Sequence, residues 1–163
     1  DFFCNTYEKN KPVNFCWISK PTYQCYYELV HLIDKLVSEN INKDFFKDKI
    51  ELQEEVSQTN NKIKVVDKGT IRLLKEWLDA KLKFPDPKPK DDMLNMFKKI
   101  RKERQKPAHS ITDNTYDTHY FDLQKELVFE SYRSIRTLRL IFVNHPLTQG
   151  YKPPEWLQKG KIM

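Results

Sequence analysis

A chain of 163 residues, 39% hydrophobic, 13% aromatic and 32% charged, has the length and apolar content for one domain around one core. Three glycines leave no material for a Gly-rich phosphate loop, no apolar run nears the ~18 residues of a membrane span, and no signal peptide is visible, so the cytoplasmic compartment is the default. The net charge of +6 is uneven: residues 1–89 hold fifteen Lys/Arg against fourteen Asp/Glu, residues 90–163 fourteen against nine, so attraction for polyanions belongs to the second half.

Residues 1–21 mix Phe2, Phe3, Tyr7, Phe15 and Trp17 with Pro12 and Pro21 in no clear period, which predicts an irregular arm packed on the domain. The start at Asp1 rather than Met suits a chain processed or excised from a longer protein with further domains. Cys4, Cys16 and Cys25 match no zinc spacing; Cys25 is read as a small buried helix residue, and no metal or cofactor is expected.

Thr22 can cap a helix to about Ile41, with Tyr23, Tyr26, Tyr27, Val30, Ile33, Val37 and Ile41 along its apolar stripe. His31 falls opposite, between Glu28 and Asp34, on what reads as a solvated polar face. Residues 49–56 and 62–68 alternate around a Thr59-Asn60-Asn61 turn, predicting an inserted β-hairpin; a charged helix over 44–57 is the competing reading.

A helix then runs from Thr70 to Lys83 on Ile71, Leu74, Leu78 and Leu82. The proline-rich stretch 84–89 is a stiff connector. The next helix, Lys90 to Gln105, carries Asp91 and Asp92 at its start and Lys/Arg at its end, in accord with the macrodipole. The longest helix opens at Asp117 or Thr118 and reaches Val143. Its stripe of Phe121, Val128, Tyr132, Ile135 and Phe142 predicts the central, most buried helix. Arg133, Arg136 and Arg139 step along it as a basic ridge. His145 falls at its end as a capping or loop residue, and in the tail 146–163 Trp156 is expected to anchor on the bundle. These elements predict one all-α domain, an up-and-down helical bundle of about four main helices with one inserted β-hairpin.

The stretch Phe97 to Ile111, FKKIRKERQKPAHSI, holds six cations in the nine residues 98–106. Met93, Phe97 and Ile100 form one helix face, and Arg104 falls where the next core residue is due. His109 follows at R-x4-H spacing beyond Pro107, so the two side chains can face one site across a helix end. A second match, Arg139 to His145, has the spacer LIFVN, whose apolar residues belong to a core helix.

The RQKPAH motif near a helix end in a small helical domain resembles the HEPN superfamily of RNA-cleaving and nucleotide-binding domains. The likeness rests on Arg104, on Gln105 in the polar slot usually held by Asn, Asp or His, and on His109, with helical context over residues 22–144. The resemblance implies a defence- or toxin-type domain that dimerises so that two motifs share a cleft.

The chemistry expected is metal-independent cleavage of single-stranded RNA. His109 would carry the proton, Arg104 would grip the non-bridging oxygens and stabilise transition-state charge, and Gln105 would orient one of them. Lys98, Lys99, Arg101, Lys102, Lys106, Arg133 and Arg136 would bind the RNA backbone. The alternative is a non-catalytic helical module binding RNA, a nucleotide or a protein, with His109 closing a helix end.

Overall fold

The computed structural model describes residues 20–57, 63–105 and 116–152. Residues 1–19 of the N-terminal arm, the turn at Thr59-Asn60-Asn61, Lys106 and His109, and residues 153–163 of the tail, Trp156 among them, lie outside the described residues. The chain is mostly helical with one small antiparallel hairpin, as the periodicities predict.

Helix α1 covers Tyr23–Asp34 and continues as a π turn over Lys35–Glu39. Thr22 caps it, its hydroxyl accepting from the Cys25 amide at 3.3 Å, and Cys25 itself is half-buried. A short 3-10 turn, Lys43–Phe46, leads to strands β1 (Gln53–Ser57) and β2 (Ile63–Asp67). They pair antiparallel with Gln53 opposite Asp67 and Ser57 opposite Ile63. The hairpin is therefore the form adopted, and the competing charged helix over 44–57 is not. Its outer residues Val56, Ile63 and Val65 are exposed, so it stands off the core.

Helix α2 spans Thr70–Lys81, α3 Lys88–Arg104 and α4 Thr118–Val143. The start of α2 is tied down: the Thr70 hydroxyl donates to the Ser38 carbonyl at 2.7 Å. Helix α3 begins two residues earlier than its composition suggested. Pro89 is accommodated in the first turn, where its missing N–H costs nothing, and the Asp86 carboxylate accepts from the Lys88 amide at 2.9 Å. The core joins Val30, Ile33 and Val37 to Leu73, Leu74, Trp77 and Leu78 of α2 and to Met93, Leu94, Phe97 and Ile100 of α3. At one edge Trp77 stacks on Phe142 at 5.7 Å, with Phe45 edge-on to both.

Helix α4 corrects the sequence reading. It packs on α3 and α1 through Gln124, Leu127, Ser131, Ser134 and Leu138, and Phe121, Val128, Tyr132 and Ile135 face solvent. Two stripes at helical spacing compete on this helix, and the contact uses the one with smaller side chains. Two serines let the neighbouring backbone come close, and the buried Gln124 donates its amide to the Lys20 carbonyl at 3.1 Å. The start of α4 is sewn to the same place, because the Asp117 amide donates to the Pro21 carbonyl at 2.9 Å. Helix α4 is thus an outer helix.

Candidate functional site

The elements converge on Arg104, the last residue of α3. Its stripe partners Met93, Phe97 and Ile100 are buried, and its own side chain is 28% exposed. The guanidinium Nη1 donates to Asp34 Oδ2 at 2.5 Å and to Glu39 Oε1 at 2.8 Å. Asp34 is fully buried, and its second oxygen accepts from the Ser38 hydroxyl at 2.6 Å. The polar face assigned to Asp34 is therefore not solvated: this carboxylate sits inside the protein because a cation and a hydroxyl satisfy it.

The π turn makes this possible. Asp34 and Glu39 are five residues apart, which an α-helix would set about 140° away from each other. An i→i+5 turn brings such a pair back to one side. The two carboxylates thus hold one guanidinium, and their hydrogen bonds, Asp34 first and Glu39 next, push the Arg104 pKa up from its usual value. The backbone is fixed as well: the Tyr27 hydroxyl donates to the Arg104 carbonyl at 2.9 Å, using an acceptor that the helix end leaves open. His31 lies one turn further along α1, edge-on to the Tyr27 ring with centroids 4.6 Å apart.

Two carboxylates against one guanidinium leave the cluster acidic, so an incoming phosphate has to displace Glu39, whose side chain is 46% exposed, before it can use Arg104. Gln105 caps α3 and is exposed, its backbone N–H donating to the Arg101 carbonyl at 3.2 Å. His109 and Lys106 are outside the described residues, so Arg104 and Gln105 are the described members of the motif.

The basic residues divide into two groups on different helices. Lys98 and Lys102 are exposed and Arg101 half-buried near the end of α3, while Lys99 pairs with Glu126 across to α4 at 2.9 Å. Arg133, Arg136 and Arg139 are exposed on α4, with Arg133 paired to Glu130 at 3.2 Å. Just before them on the same helix are Phe129 and Tyr132, 56% and 62% exposed, with Lys125 and Phe121 one and two turns before Phe129. Phe121 to Val143 spans ~33 Å at 1.5 Å per residue.

The sequence marks Arg104 as a cation where a core residue is due, but does not pair it with Asp34, Ser38, Glu39 or the Tyr27 latch. The usable signal was the acid-rich end of the first helix facing an isolated arginine. Among the described residues no group of three or more His, Cys, Asp or Glu side chains is placed to hold a metal ion, and no helix is long and apolar enough to cross a membrane. No family model matches the chain, and no curated protein or solved structure is similar enough to it to count as a match.

Proposed function

We propose that the chain is a non-catalytic helical RNA-binding module, an up-and-down bundle working in the cytoplasm. The observation that carries this is the solvent face of α4, where the exposed rings of Phe121, Phe129 and Tyr132, with Lys125 among them, run into the exposed Arg133, Arg136 and Arg139. Cations neutralise phosphates, and aromatic faces stack unpaired bases at roughly 1–3 kcal/mol each. Large aromatic rings left on the outside while Gln124, Ser131 and Ser134 share the contact face with two leucines run against what solvation alone favours, which supports a ligand for the outer side.

The test is fluorescence anisotropy of a labelled single-stranded RNA against salt. Affinity should fall steeply, with a log–log slope near −0.7 per phosphate contact. Arg136→Ala with Arg139→Ala should flatten that slope by about one to two contacts, and Tyr132→Ala should weaken binding at constant slope. Binding indifferent to all three variants removes α4 from the interface.

A second reading, metal-independent cleavage through Arg104 and His109 in a homodimer, is favoured by one observation. Arg104 keeps partial exposure beside Glu39, an exposed carboxylate held by a weak surface pair. Arg104 would then anchor the start of the motif and engage phosphate when Glu39 yields. Cleavage of single-stranded RNA that survives EDTA and disappears in His109→Ala is the result this reading requires.

A further inference from the structure

We infer that the cleft between α1, the end of α3 and the start of α4 is an aromatic cage for a small quaternary ammonium ion, a trimethylammonium head of the choline type, walled by Tyr23, Tyr26, Tyr27 and Tyr120. The cleft has a volume of about 380 Å³, near the low end of the roughly 300–1,000 Å³ range of small-ligand sites. The site goes beyond the RNA-binding reading and does not depend on it, because the outer-face residues Phe121, Phe129 and Tyr132 are not among its walls.

The rings form two walls. Each of the four tyrosines is half-buried, so part of every ring lines the open cleft. Tyr23 and Tyr27 lie nearly parallel, 18° apart with centroids 5.8 Å from each other, and Tyr120 stands at 68° to Tyr23 at 5.9 Å, so the walls meet at a steep angle. Tyr26 continues the second wall, tilted 34° against Tyr120 at 6.2 Å. Val30, Ile100 and Leu127 close the floor with aliphatic carbon, on which methyl groups leave water. The face of an aromatic ring is negative and attracts a cation within about 6 Å of its centroid, most of all a cation whose hydration is weak.

The charge at the cleft has the matching sign. Its lining sets the single cation Lys99 against the two acids Glu103 and Glu126, in a chain that carries +6. The Tyr26 pKa is raised, by burial first and then by the charges of Glu103 and Glu126, and the part due to charge is a negative field that also favours a cation beside the ring. A quaternary ammonium has no N–H to donate, so it asks no carboxylate for a hydrogen bond. Glu103 keeps the contacts it has, and Glu126 keeps its pair with Lys99 at 2.9 Å, while the ligand is bound. A primary ammonium is strongly hydrated, and among these rings it gives up hydrogen bonds to water that the tyrosine faces do not replace.

The experiment is a calorimetric and NMR titration of the full chain with choline, with its uncharged isostere neohexanol (carbon in place of nitrogen) and with ethanolamine, following the tyrosine ring signals. Choline should move those signals and bind about tenfold tighter than neohexanol, which has the same shape without the charge. Ethanolamine should bind more weakly than choline. Tyr23→Leu and Tyr120→Leu should each cut the choline advantage by at least about threefold. Tyr23→Phe and Tyr120→Phe, which keep the ring and lose the hydroxyl, should preserve it, all in variants with the wild-type circular dichroism spectrum. The comparison of choline with neohexanol uses the wild-type chain, so it decides even where a leucine variant fails to fold. Equal affinity for the two, no movement of the tyrosine signals at millimolar choline, or an undiminished choline advantage in both leucine variants overturns the cage. AMP bound as tightly as choline, with the same ring shifts, would make the cleft a site for flat rings and overturns it too. Acetyl-trimethyllysine amide bound more tightly than choline would overturn the small-ion assignment in favour of a methylated side chain.

Discussion

Arg104 and Asp34, seventy residues apart in the chain, meet at 2.5 Å and lock the end of α3 to the end of α1. The pair is lopsided: Asp34 is fully buried and Arg104 is 28% exposed. Removing the arginine therefore strands a charge inside the protein, and removing the acid leaves a cation that still has Glu39 and water. Arg104→Ala should cost about 3 kcal/mol, at the low end for breaking a buried pair because Ser38 still serves one Asp34 oxygen. Asp34→Asn should cost less, and the double variant should recover at least about 1 kcal/mol of the summed loss. Urea denaturation of the four proteins measures this, and additivity within about 0.5 kcal/mol would show that the contact is not coupled.

Tyr27→Phe deletes the hydroxyl that donates to the Arg104 carbonyl and leaves the ring stacked on Tyr23. The loss should be about 1 kcal/mol, the net worth of one such bond. Hydrogen exchange gives the sharper reading, because the amides of the last α3 turn, from Arg101 to Arg104, should lose protection more than those near Met93. Uniform loss along α3 would mean that the hydroxyl does not act on the helix end.

The helices and the hairpin were legible because their signals are local: Thr22, Gly69 and Asp117 cap, the prolines before Lys88 interrupt, and residues 63–67 alternate. The face that α4 buries was not. Leu127, Ser131, Ser134 and Leu138 recur at helical spacing as regularly as Phe121, Val128, Tyr132 and Ile135, and the contact takes the stripe whose serines are small, which periodicity alone does not reveal. The candidate site was half legible. Arg104 stood out as a cation on an apolar stripe, but its partner Glu39 reaches it only through a π turn, which α-helical periodicity cannot predict. Asp34 looked like a surface acid because its burial depends on a residue from another helix.

Acid should weaken the fold through α2. The Glu76 pKa is lowered, first by its hydrogen bond from Lys68 and further by the one from Arg72. Asp79 is lowered likewise by hydrogen bonds from Lys75 and then Lys90. A carboxyl whose pKa is depressed in the folded state contributes stability above its unfolded value, about 4, and loses it as pH falls through the folded value. Both groups are largely solvent-screened, so together they should contribute under about 1 kcal/mol. The urea midpoint should therefore drop between pH 5 and pH 3, and Glu76→Gln should reduce that drop. A midpoint that rises on acidification contradicts the sign.

The buried polar face of α4 gives the last prediction. Ser131 is 5% exposed, and among the described residues its hydroxyl has no hydrogen-bond partner. A hydroxyl taken out of water and left unpaired costs roughly 1–3 kcal/mol. Alanine keeps the small size that lets α4 lie close to its neighbours, removes the unpaired oxygen and has the better helix propensity, by up to about 0.5 kcal/mol. Ser131→Ala should therefore stabilise the domain by about 1 kcal/mol and raise its melting temperature by a few degrees. Ser131→Leu, which would suit the helix if that face had room, should instead destabilise by about 1–3 kcal/mol through overpacking. The pair of variants separates polarity from volume. A destabilising Ser131→Ala would reveal a partner for the hydroxyl, and a tolerated Ser131→Leu would mean that α4 does not rest on its small residues.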